Sequence, residues 1–433
     1  MRVFHDLQDL PDFRNAVITI GSFDGVHFGH QQLIDKIRFL AQTTQGESVV
    51  ITFHPHPRLV IYPKDKSLQL ITTIDEKIKL LERFGVDNVV VVPFTIEFSQ
   101  QSADEYIQKF IVDKFHPKYI VVGYDHRFGL NRQGDINYLR YYGRRHGYEV
   151  LEIPKREVED IAVSSTKIRN FLSKGQVGQA AGLLNHFFSL TGTVVRGQQI
   201  GSEIGFPTAN LEVSSKHKLI PPDGIFAVFV QHKGQRYEGM LYIGTRPTLK
   251  DLKDRTIEVN IFDFNKSIYG DKIQLELVAY IRDDMQFENL DGLKAQLAQD
   301  KVLAQDALSL AGEALHQQAR TVEDKPSVAV VILNYNTRAL LEKYLPTVLQ
   351  STYPNLKVIV ADNGSTDDSA SWLHTQYPAV DLIQLPVNYG FAEGYNRAMK
   401  GVQADYYVLL NSDVEVPANW LNPLIEEMER DDK

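Results

Sequence analysis

The feature that most constrains the fold is a glycine-rich segment at residues 21–30, Gly-Ser-Phe-Asp-Gly-Val-His-Phe-Gly-His, which joins an apolar run to a helical pattern. The apolar run at residues 16–20 has the character of a buried strand, and apolar residues recur at helical spacing over residues 31–42. At a strand-to-helix turn, free backbone N–H groups and the positive end of the helix dipole favour a phosphate. The 21–30 segment therefore predicts a phosphate site on an α/β fold.

The side chains of the 21–30 segment suit phosphoryl chemistry. His27 and His30, three residues apart, can share one face of the first helical turn and donate hydrogen bonds to the same phosphoryl oxygens. They would stabilise charge on phosphorus by placement rather than by covalent attack. The alternative is a glycine turn with two solvent-exposed histidines. Glycine permits close backbone approach, and we expect the nucleotide to contact Gly21, Phe23, Asp24, Gly25 and Gly29.

Strand-like and helical patterns alternate through the first 185 residues. Such alternation predicts a doubly wound parallel sheet, in which ligands bind at the carboxyl ends of the strands. The strand-like runs are residues 16–20, 48–53, 88–94, 119–123 and 148–153. The 21–30 segment follows the first of them, so we expect the site at that end of the sheet.

Two further clusters follow strand-like runs. His54, Pro55, His56 and Pro57 come after the second run; they are expected to contact a flavin or nucleotide, to bind a metal, or to form a plain loop that the prolines hold extended. After the fourth run, Asp125 is expected to contact a ribose or to stabilise its loop, and Arg127 to meet phosphate.

A third cluster, Val-Ser-Ser-Thr-Lys-Ile-Arg at residues 163–169, combines hydroxyl groups at a helix start with cations within one turn. This combination suits a triphosphate. The residues expected to bind ATP here are Ser164, Ser165, Thr166 and Arg169.

Residues 186–318 show a different periodicity. Alternating strands joined by glycine turns predict a small antiparallel β-barrel, closed by a helix at residues 292–318 that packs on it through its leucines, among them Leu303, Leu310 and Leu315. Its first loop carries Gly197, Gly201 and Gly205, a spacing suited to backbone that wraps phosphates. Thr208 and Asn210 then offer two neutral oxygen ligands for Mg²⁺ that is held mainly by ATP.

Taken together, these motifs resemble bacterial bifunctional riboflavin kinase/FAD synthetases. The resemblance rests on the 21–30 segment, on residues 123–129 and 163–169, and on Phe-Pro-Thr-Ala-Asn-Leu at residues 206–211. It implies an FMN adenylyltransferase domain at residues 1–185 and a riboflavin kinase barrel at 186–318, with riboflavin, FMN and ATP as substrates and Mg²⁺ accompanying ATP. It also implies that Glu258 accepts the riboflavin 5′-hydroxyl proton; a carboxylate on a barrel strand is costly to bury for structure alone.

Several residues depart from the pattern of that family: His126, Phe226, Tyr242, Asn260 and the junction Leu-Leu-Asn-His-Phe-Phe at residues 183–188. None of these positions coincides with Thr208, Asn210 or Glu258. We therefore expect the departures to affect the fit of the flavin more than the activity.

A third unit is predicted at residues 327–433, after a polar linker at 319–326. Acidic residues again follow strand-like runs, and their order resembles the amino-terminal half of a family 2 glycosyltransferase of GT-A-like fold, rhamnosyltransferase-like in detail. The resemblance implies a nucleotide-sugar site in which Asp362 meets the base or ribose and Asp413 the metal-bridged diphosphate. Because the sequence stops soon after Asp413, we expect a fragment that is able to bind at best, without transfer activity.

Composition narrows the remaining choices. The 433 residues include no cysteine, which excludes disulfides and thiolate metal sites. Neither a basic cluster for nucleic acid nor an apolar run of membrane-spanning length occurs, and the amino terminus does not resemble a secretory signal. A cytoplasmic α/β multidomain enzyme is the expectation. The alternatives are a flavin-binding regulatory platform and a glycosyltransferase with an accessory amino-terminal region.

Overall fold

The computed structural model describes residues 1–8, 10–65, 67–153, 164–197, 201, 205–245, 255–323, 325–378 and 380–430. The chain divides into two compact units. The first comprises Met1–Leu40 with Gly46–Glu313, and the second comprises Ala41–Gln45 with Ala314–Lys433.

The first unit begins with a six-stranded parallel sheet of order β1-β4-β3-β2-β5-β6. Its strands are β1 Arg2–Phe4, β2 Val17–Ile20, β3 Ser48–His54, β4 Asn88–Pro93, β5 Tyr119–Gly123 and β6 Glu149–Ile153. The predicted doubly wound sheet is confirmed. Its central strands are buried along most of their length, as expected when helices cover both faces of a parallel sheet. The three-residue edge strand β1 was not predicted, because it is too short to show a pattern.

Short helices connect these strands. They are α1 Phe28–Thr43, α2 Pro57–Ile61, α3 Ile74–Arg83, α4 Ile96–Ser99, α5 Ala103–Glu105, α6 Asp113–Phe115, α7 Ile136–His146, α8 Ser165–Leu172 and α9 Val177–Leu184. A π-helical stretch, Tyr106–Val112, joins α5 to α6, and a 3₁₀ turn occupies Leu130–Arg132. Helix α1 starts inside the 21–30 segment, so the predicted strand-to-helix turn is confirmed.

A closed antiparallel barrel follows, with strand order β10-β11-β8-β7-β12-β9. Its strands are β7 Phe188–Val195, β8 Ala209–Glu212, β9 Gly224–His232, β10 Gln235–Thr245, β11 Arg255–Ile261 and β12 Lys272–Arg282. The predicted barrel is confirmed. The sequence did not predict strand β8, whose four residues include the predicted magnesium ligand Asn210.

Helix α10, Leu290–Glu323, corrects the predicted packing of the leucines. Leu303 and Leu310 are 51% and 70% exposed, whereas Asp300, Ala304 and Leu308 are fully buried. Asp300 accepts hydrogen bonds from Nε and Nη2 of Arg282 on β12, so a bidentate ion pair anchors the buried face. The side chain of Leu315 lies outside the described residues. The helix also continues into the range 319–326, which was predicted to be a linker.

Two ion pairs join α3 to the barrel, and they differ in burial. Lys218 Nζ lies 2.6 Å from Glu76 Oε2, and both side chains are almost completely buried. Glu76 also accepts a hydrogen bond from the backbone N–H of Thr191. The second pair, Lys272 with Asp75, lies 2.7 Å apart with both side chains more than half exposed.

We expect Lys218→Met to lower the free energy of unfolding by about 3–5 kcal/mol, because it leaves the Glu76 carboxylate buried without its cation. Lys272→Met removes the exposed pair on the same helix and should cost no more than about 1 kcal/mol. Denaturant titration followed by circular dichroism checks both variants. Tryptophan fluorescence is an internal control, because both tryptophans, Trp372 and Trp420, lie in the second unit. Equal losses in the two variants would contradict this prediction.

The second unit contains a four-stranded parallel sheet of order β15-β14-β13-β16. Its strands are β13 Val328–Asn334, β14 Leu356–Asp362, β15 Asp381–Gln384 and β16 Tyr406–Asn411, and its helices after α10 are α11 Arg338–Leu349, α12 Ser369–Gln376, α13 Phe391–Met399 and α14 Leu421–Arg430. The predicted α/β unit with a parallel sheet is confirmed. Within the described residues, none of the helices is both long enough and apolar enough to cross a membrane.

Candidate functional site

The two histidines of the 21–30 segment lie together at the start of α1. Their rings stack with centroids 3.7 Å apart and an angle of 15° between planes. His27 is 7% exposed, which excludes the alternative of a solvent-exposed pair. Neither Nδ1 atom has a hydrogen-bond partner in the described part of the chain.

Burial sets the charge of both rings. It lowers the pKa of His27 to about 4, against the opposing charge of Asp24. It also lowers the pKa of His30 well below the usual value, with smaller contributions from the charges of His27 and Lys77. Both imidazoles are therefore neutral near pH 7, so each ring carries a single N–H that can be donated.

Asp24 and Arg169, two predicted nucleotide ligands, are engaged with each other. Asp24 is buried and accepts hydrogen bonds from the backbone N–H groups of Ile71 and Thr72. The Nη2 atom of Arg169 lies 2.5 Å from Asp24 Oδ2, and its Nε atom donates to the carbonyl of Gln69. The pair thus ties the 21–30 segment to residues 69–72.

The hydroxyl cluster at the start of α8 also contacts the 21–30 segment. Ser165 Oγ donates to the carbonyl oxygen of Asp24 at 3.1 Å. Ser164 is the N-cap residue of α8 and accepts a hydrogen bond from the backbone N–H of Lys167. The structure therefore brings together two motifs that are more than 130 residues apart in the sequence.

Within the His54–Pro57 cluster, the backbone is extended at His54, the last residue of β3, and at His56, as predicted, but not at Pro57. Pro57 begins α2, where its fixed φ and missing N–H are tolerated. His56 is the N-cap residue and accepts from the backbone N–H of Arg58 through Nδ1. Burial lowers the pKa of His56 to about 4 and also lowers that of His54.

After burial, the charges that act on the pKa of His56 are those of Asp24, which raises it, and of Lys77, Arg169 and Arg58, which lower it. In the described residues, no group of three or more His, Asp or Glu side chains could hold a metal. The metal alternative for this cluster therefore lacks support, and flavin contact stays a prediction.

Of residues 125–127, Asp125 is exposed to solvent and Arg127 pairs with the N-cap residue of α7. Arg127 Nη1 lies 3.1 Å from Oδ2 of Asp135, the N-cap residue of α7, so its guanidinium is already partnered. Asp125 is exposed. His126, which lies between these two residues in the sequence, has its pKa lowered to about 4 by burial.

Lys77 on α3 is a site residue that the sequence analysis missed. Its Nζ atom donates to the carbonyl of Ser22 at 2.6 Å and to Thr52 Oγ1 at 3.2 Å. Burial lowers its pKa to about 8, opposed by the charge of Asp24. Charged residues at 75, 76, 77 and 79 resemble an exposed helix face, and no motif marks this lysine.

A second site lies in the barrel, where β8 pairs with β11. Asn210 is the register partner of Glu258, and Thr208 Oγ1 donates to Glu258 Oε2 at 3.1 Å. Glu258 is only 8% exposed. Asn260, one of the departures, donates through Nδ2 to the carbonyl of Pro207 and so holds the residue before Thr208.

The glycine loop approaches these ligands closely. A Cβ atom at Gly197 would lie 2.1 Å from Nδ2 of Asn210, and one at Gly201 would lie 2.3 Å from the carbonyl of Phe206. Larger residues would therefore displace the loop or the predicted ligands. Gly205 has a φ of +85°, a conformation that favours glycine.

The donor set of the barrel fits a magnesium ion carried by a nucleotide. A hydroxyl and an amide oxygen beside one carboxylate are hard oxygen ligands. They supply little negative charge by themselves, so phosphates would have to complete the coordination. A dedicated carboxylate cage does not occur in the part of the chain that the structure describes.

In the second unit, Asp362 is the last residue of β14 and Asp413 lies two residues after the end of β16. These two strands flank β13 on either side. Asp362 is buried and accepts from Asn334 Nδ2 at 2.7 Å and from the backbone N–H of Ser365 at 3.1 Å. Asp413 is exposed. The two predicted ligands thus lie at the carboxyl ends of parallel strands, on the same side of the sheet. The carboxylate of Asp362 also stabilises the turn that follows it, through the N–H of Ser365.

Comparison with known proteins agrees with this division of the chain. Family models described as FAD synthetase, riboflavin kinase and glycosyl transferase family 2 match residues 9–167, 184–308 and 329–433, respectively. A Streptococcus pneumoniae crystal structure described as a macrolide-efflux protein is 32% identical, with a TM-score of 0.63 over 70% of this chain and 98% of that one.

Two relatives are described as bifunctional riboflavin kinase/FMN adenylyltransferase. The Listeria monocytogenes protein is 35% identical over 289 residues, 66% of this chain and 90% of the relative. The Escherichia coli K12 protein is 34% identical over 311 residues, 72% of this chain and 98% of the relative. The chain therefore belongs to the bifunctional riboflavin kinase/FMN adenylyltransferase family, with a glycosyltransferase family 2 segment after the kinase barrel.

Proposed function

We propose that this chain phosphorylates riboflavin to FMN and then adenylylates FMN to FAD, with ATP as the donor in both reactions. The observation that carries the proposal is the presence of two separate centres in the first unit. One is the stacked His27–His30 pair at the end of a parallel sheet. The other is the Thr208–Glu258 pair in the barrel.

In the barrel, Glu258 accepts the proton of the riboflavin 5′-hydroxyl as that oxygen bonds to the γ-phosphorus of ATP, and ADP leaves. Thr208 and Asn210 would hold Mg²⁺, which offsets the negative charge of the phosphates when it is bound. The backbone of Gly197, Gly201 and Gly205 wraps the phosphates. The position of Glu258 supports this role, because its carboxylate lies beside both predicted magnesium ligands, as the register partner of Asn210 and the acceptor of the Thr208 hydrogen bond.

In the α/β domain, a phosphate oxygen of FMN attacks the α-phosphorus of ATP, and pyrophosphate leaves. The neutral rings of His27 and His30 donate N–H bonds to the oxygens on which charge develops. We assign ATP contacts to Gly21, Phe23, Gly25, Gly29, Asp125, Arg127 and Ser164–Thr166, and flavin contacts to residues 54–57. Asp24 and Arg169 hold the 21–30 segment in place for this reaction.

A chromatographic time course with riboflavin, ATP and Mg²⁺ tests the proposal. FMN should rise first and FAD should follow. FMN without FAD would reject the adenylyltransferase half, and conversion of neither riboflavin nor added FMN would favour the binding-platform alternative. Omitting Mg²⁺ should stop both steps if the metal accompanies ATP.

For the second unit, we propose nucleotide-sugar binding without transfer. The placement of Asp362 and Asp413 at one edge of the sheet supports binding. We expect UDP- and dTDP-sugars to be recovered unchanged after incubation with the full chain and Mn²⁺ or Mg²⁺, as measured by chromatography. Release of UDP or dTDP that Asp413→Asn abolishes would contradict this prediction. We also propose a cytoplasmic location, where proteins rarely rely on disulfides, since the sequence contains no cysteine.

A further inference from the structure

We propose that Lys77 is a positioning residue of the adenylyltransferase, which fixes the backbone of the 21–30 segment and places a positive charge beneath the bound phosphates. The inference rests on the proposed FMN adenylylation and assigns a role to a residue outside every motif described above. It is carried by the contacts of Lys77 with Ser22 and Thr52.

The first step concerns the direction of a peptide plane. Lys77 Nζ and Thr52 Oγ1 both donate to the carbonyl oxygen of Ser22, at 2.6 Å and 3.2 Å. In a trans peptide the C=O and the following N–H point in opposite directions. The two bonds therefore orient the N–H of Phe23 away from Lys77, and they set the path of the chain toward His27.

The second step concerns charge. The Lys77 ammonium contributes to lowering the pKa values of His30, His54 and His56, in each case after the larger effect of burial. The Lys77 ammonium therefore acts on predicted ligands in α1, in β3 and at the start of α2. The charge that acts on Lys77 is that of Asp24, and Asp24 in turn forms an ion pair with Arg169. Lys77 thus leaves one positive charge in excess, which suits an anionic triphosphate.

The third step concerns pH. Because burial lowers the pKa of Lys77 to about 8, the ammonium is present below this value and is lost as pH rises through it. The neighbouring histidines have lowered pKa values and do not titrate in that range. The ratio kcat/KM reports ionisations of the free enzyme, so kcat/KM of FMN adenylylation for ATP should fall above about pH 8.

The test compares Lys77→Met with Lys77→Arg and with Lys79→Met, which makes the same change at an exposed position of α3. Lys77→Met should lower kcat/KM for adenylylation by about 10²-fold, the cost typical of losing one preorganised donor. Riboflavin phosphorylation by the same protein should be unchanged, since the barrel is untouched. Lys77→Arg should restore part of the activity and move the alkaline decline to higher pH. Lys79→Met should behave as wild type.

Undiminished adenylylation in Lys77→Met would overturn the inference, and so would an alkaline decline that persists in that variant. If Lys77→Met loses both activities through misfolding, the wild-type profile decides, because a profile without a decline near pH 8 also overturns it. Failure of the wild-type chain to form FAD would instead reject the proposed function.

Discussion

Replacing Glu258 with glutamine is expected to slow riboflavin phosphorylation by about 10²–10⁴-fold, the usual contribution of a general base, and to leave FMN adenylylation unchanged. Glutamine keeps the size of the side chain and an oxygen that can accept the bond from Thr208, which spans 3.1 Å. It removes only the capacity to take the 5′-hydroxyl proton. The measurement is FMN formation from riboflavin, with FAD formation from added FMN assayed in parallel.

Two comparisons sharpen this prediction. Glu238→Gln makes the same change at an exposed position on the neighbouring strand β10 and should not alter either activity. The kinetic constants also separate the roles of Glu258. Loss of a base lowers kcat with little effect on KM, whereas loss of a ligand to the ATP-bound metal raises KM for ATP. Full kinase activity in Glu258→Gln would remove this residue from the chemistry.

The sequence best predicts the structural features that are formed by residues close together in the chain. The 21–30 segment shows its strand, its glycines and the start of α1 within a few residues, so the turn and the histidine pair follow from periodicity and spacing. The Asp24–Arg169 pair joins residues 145 positions apart. No local pattern shows the distant partner of a charged residue, so the sequence predicts nucleotide contact for both residues but does not predict that they pair with each other.

Buried charges explain most of what the sequence did not show. Lys77 and Asp300 lie in helices whose charged residues suggest solvent-exposed faces, yet both are buried, and Asp300 pairs with Arg282. Such burial costs free energy unless partners compensate for it, and those partners come from distant elements. Conversely, Leu303 and Leu310 were predicted to pack on the barrel but are exposed, because α10 buries the face that carries Asp300 instead.

The junction between the two domains contacts the 21–30 segment, which its sequence did not predict. In the sequence, residues 183–188 show only a departure from the family pattern. In the structure, His186 Nε2 lies 2.9 Å from the carbonyl of Gly25. Gln31 also donates to the carbonyls of Val26 and Leu184. The junction therefore braces the 21–30 segment, and His186, one of the departures, contacts the adenylylation site.

The second large effect is expected at the histidine pair. His27→Ala and His30→Ala should each lower FMN adenylylation by about 10²–10³-fold, the cost of removing one donor from a preorganised site, while riboflavin phosphorylation is retained. The two rings stack on each other, and His30 also contacts the ring of Phe23. For this reason His30→Asn, which keeps a donor but leaves less space empty, should recover part of the loss. His146→Ala on the exposed face of α7 is the matched control.

The pH dependence distinguishes this pair from ordinary histidines. Because burial lowers the pKa of His27 to about 4 and that of His30 well below the usual value, neither ring gains a proton as pH falls from about 7.5 to about 5.5. The rate of adenylylation at saturating substrate should therefore be flat across this range, and the His146→Ala profile should match it. A fall centred near pH 6.5 that disappears in His27→Ala would show that the ring titrates normally. It would follow that the ring reaches solvent in the working enzyme and that the neutral donor assigned to it is wrong.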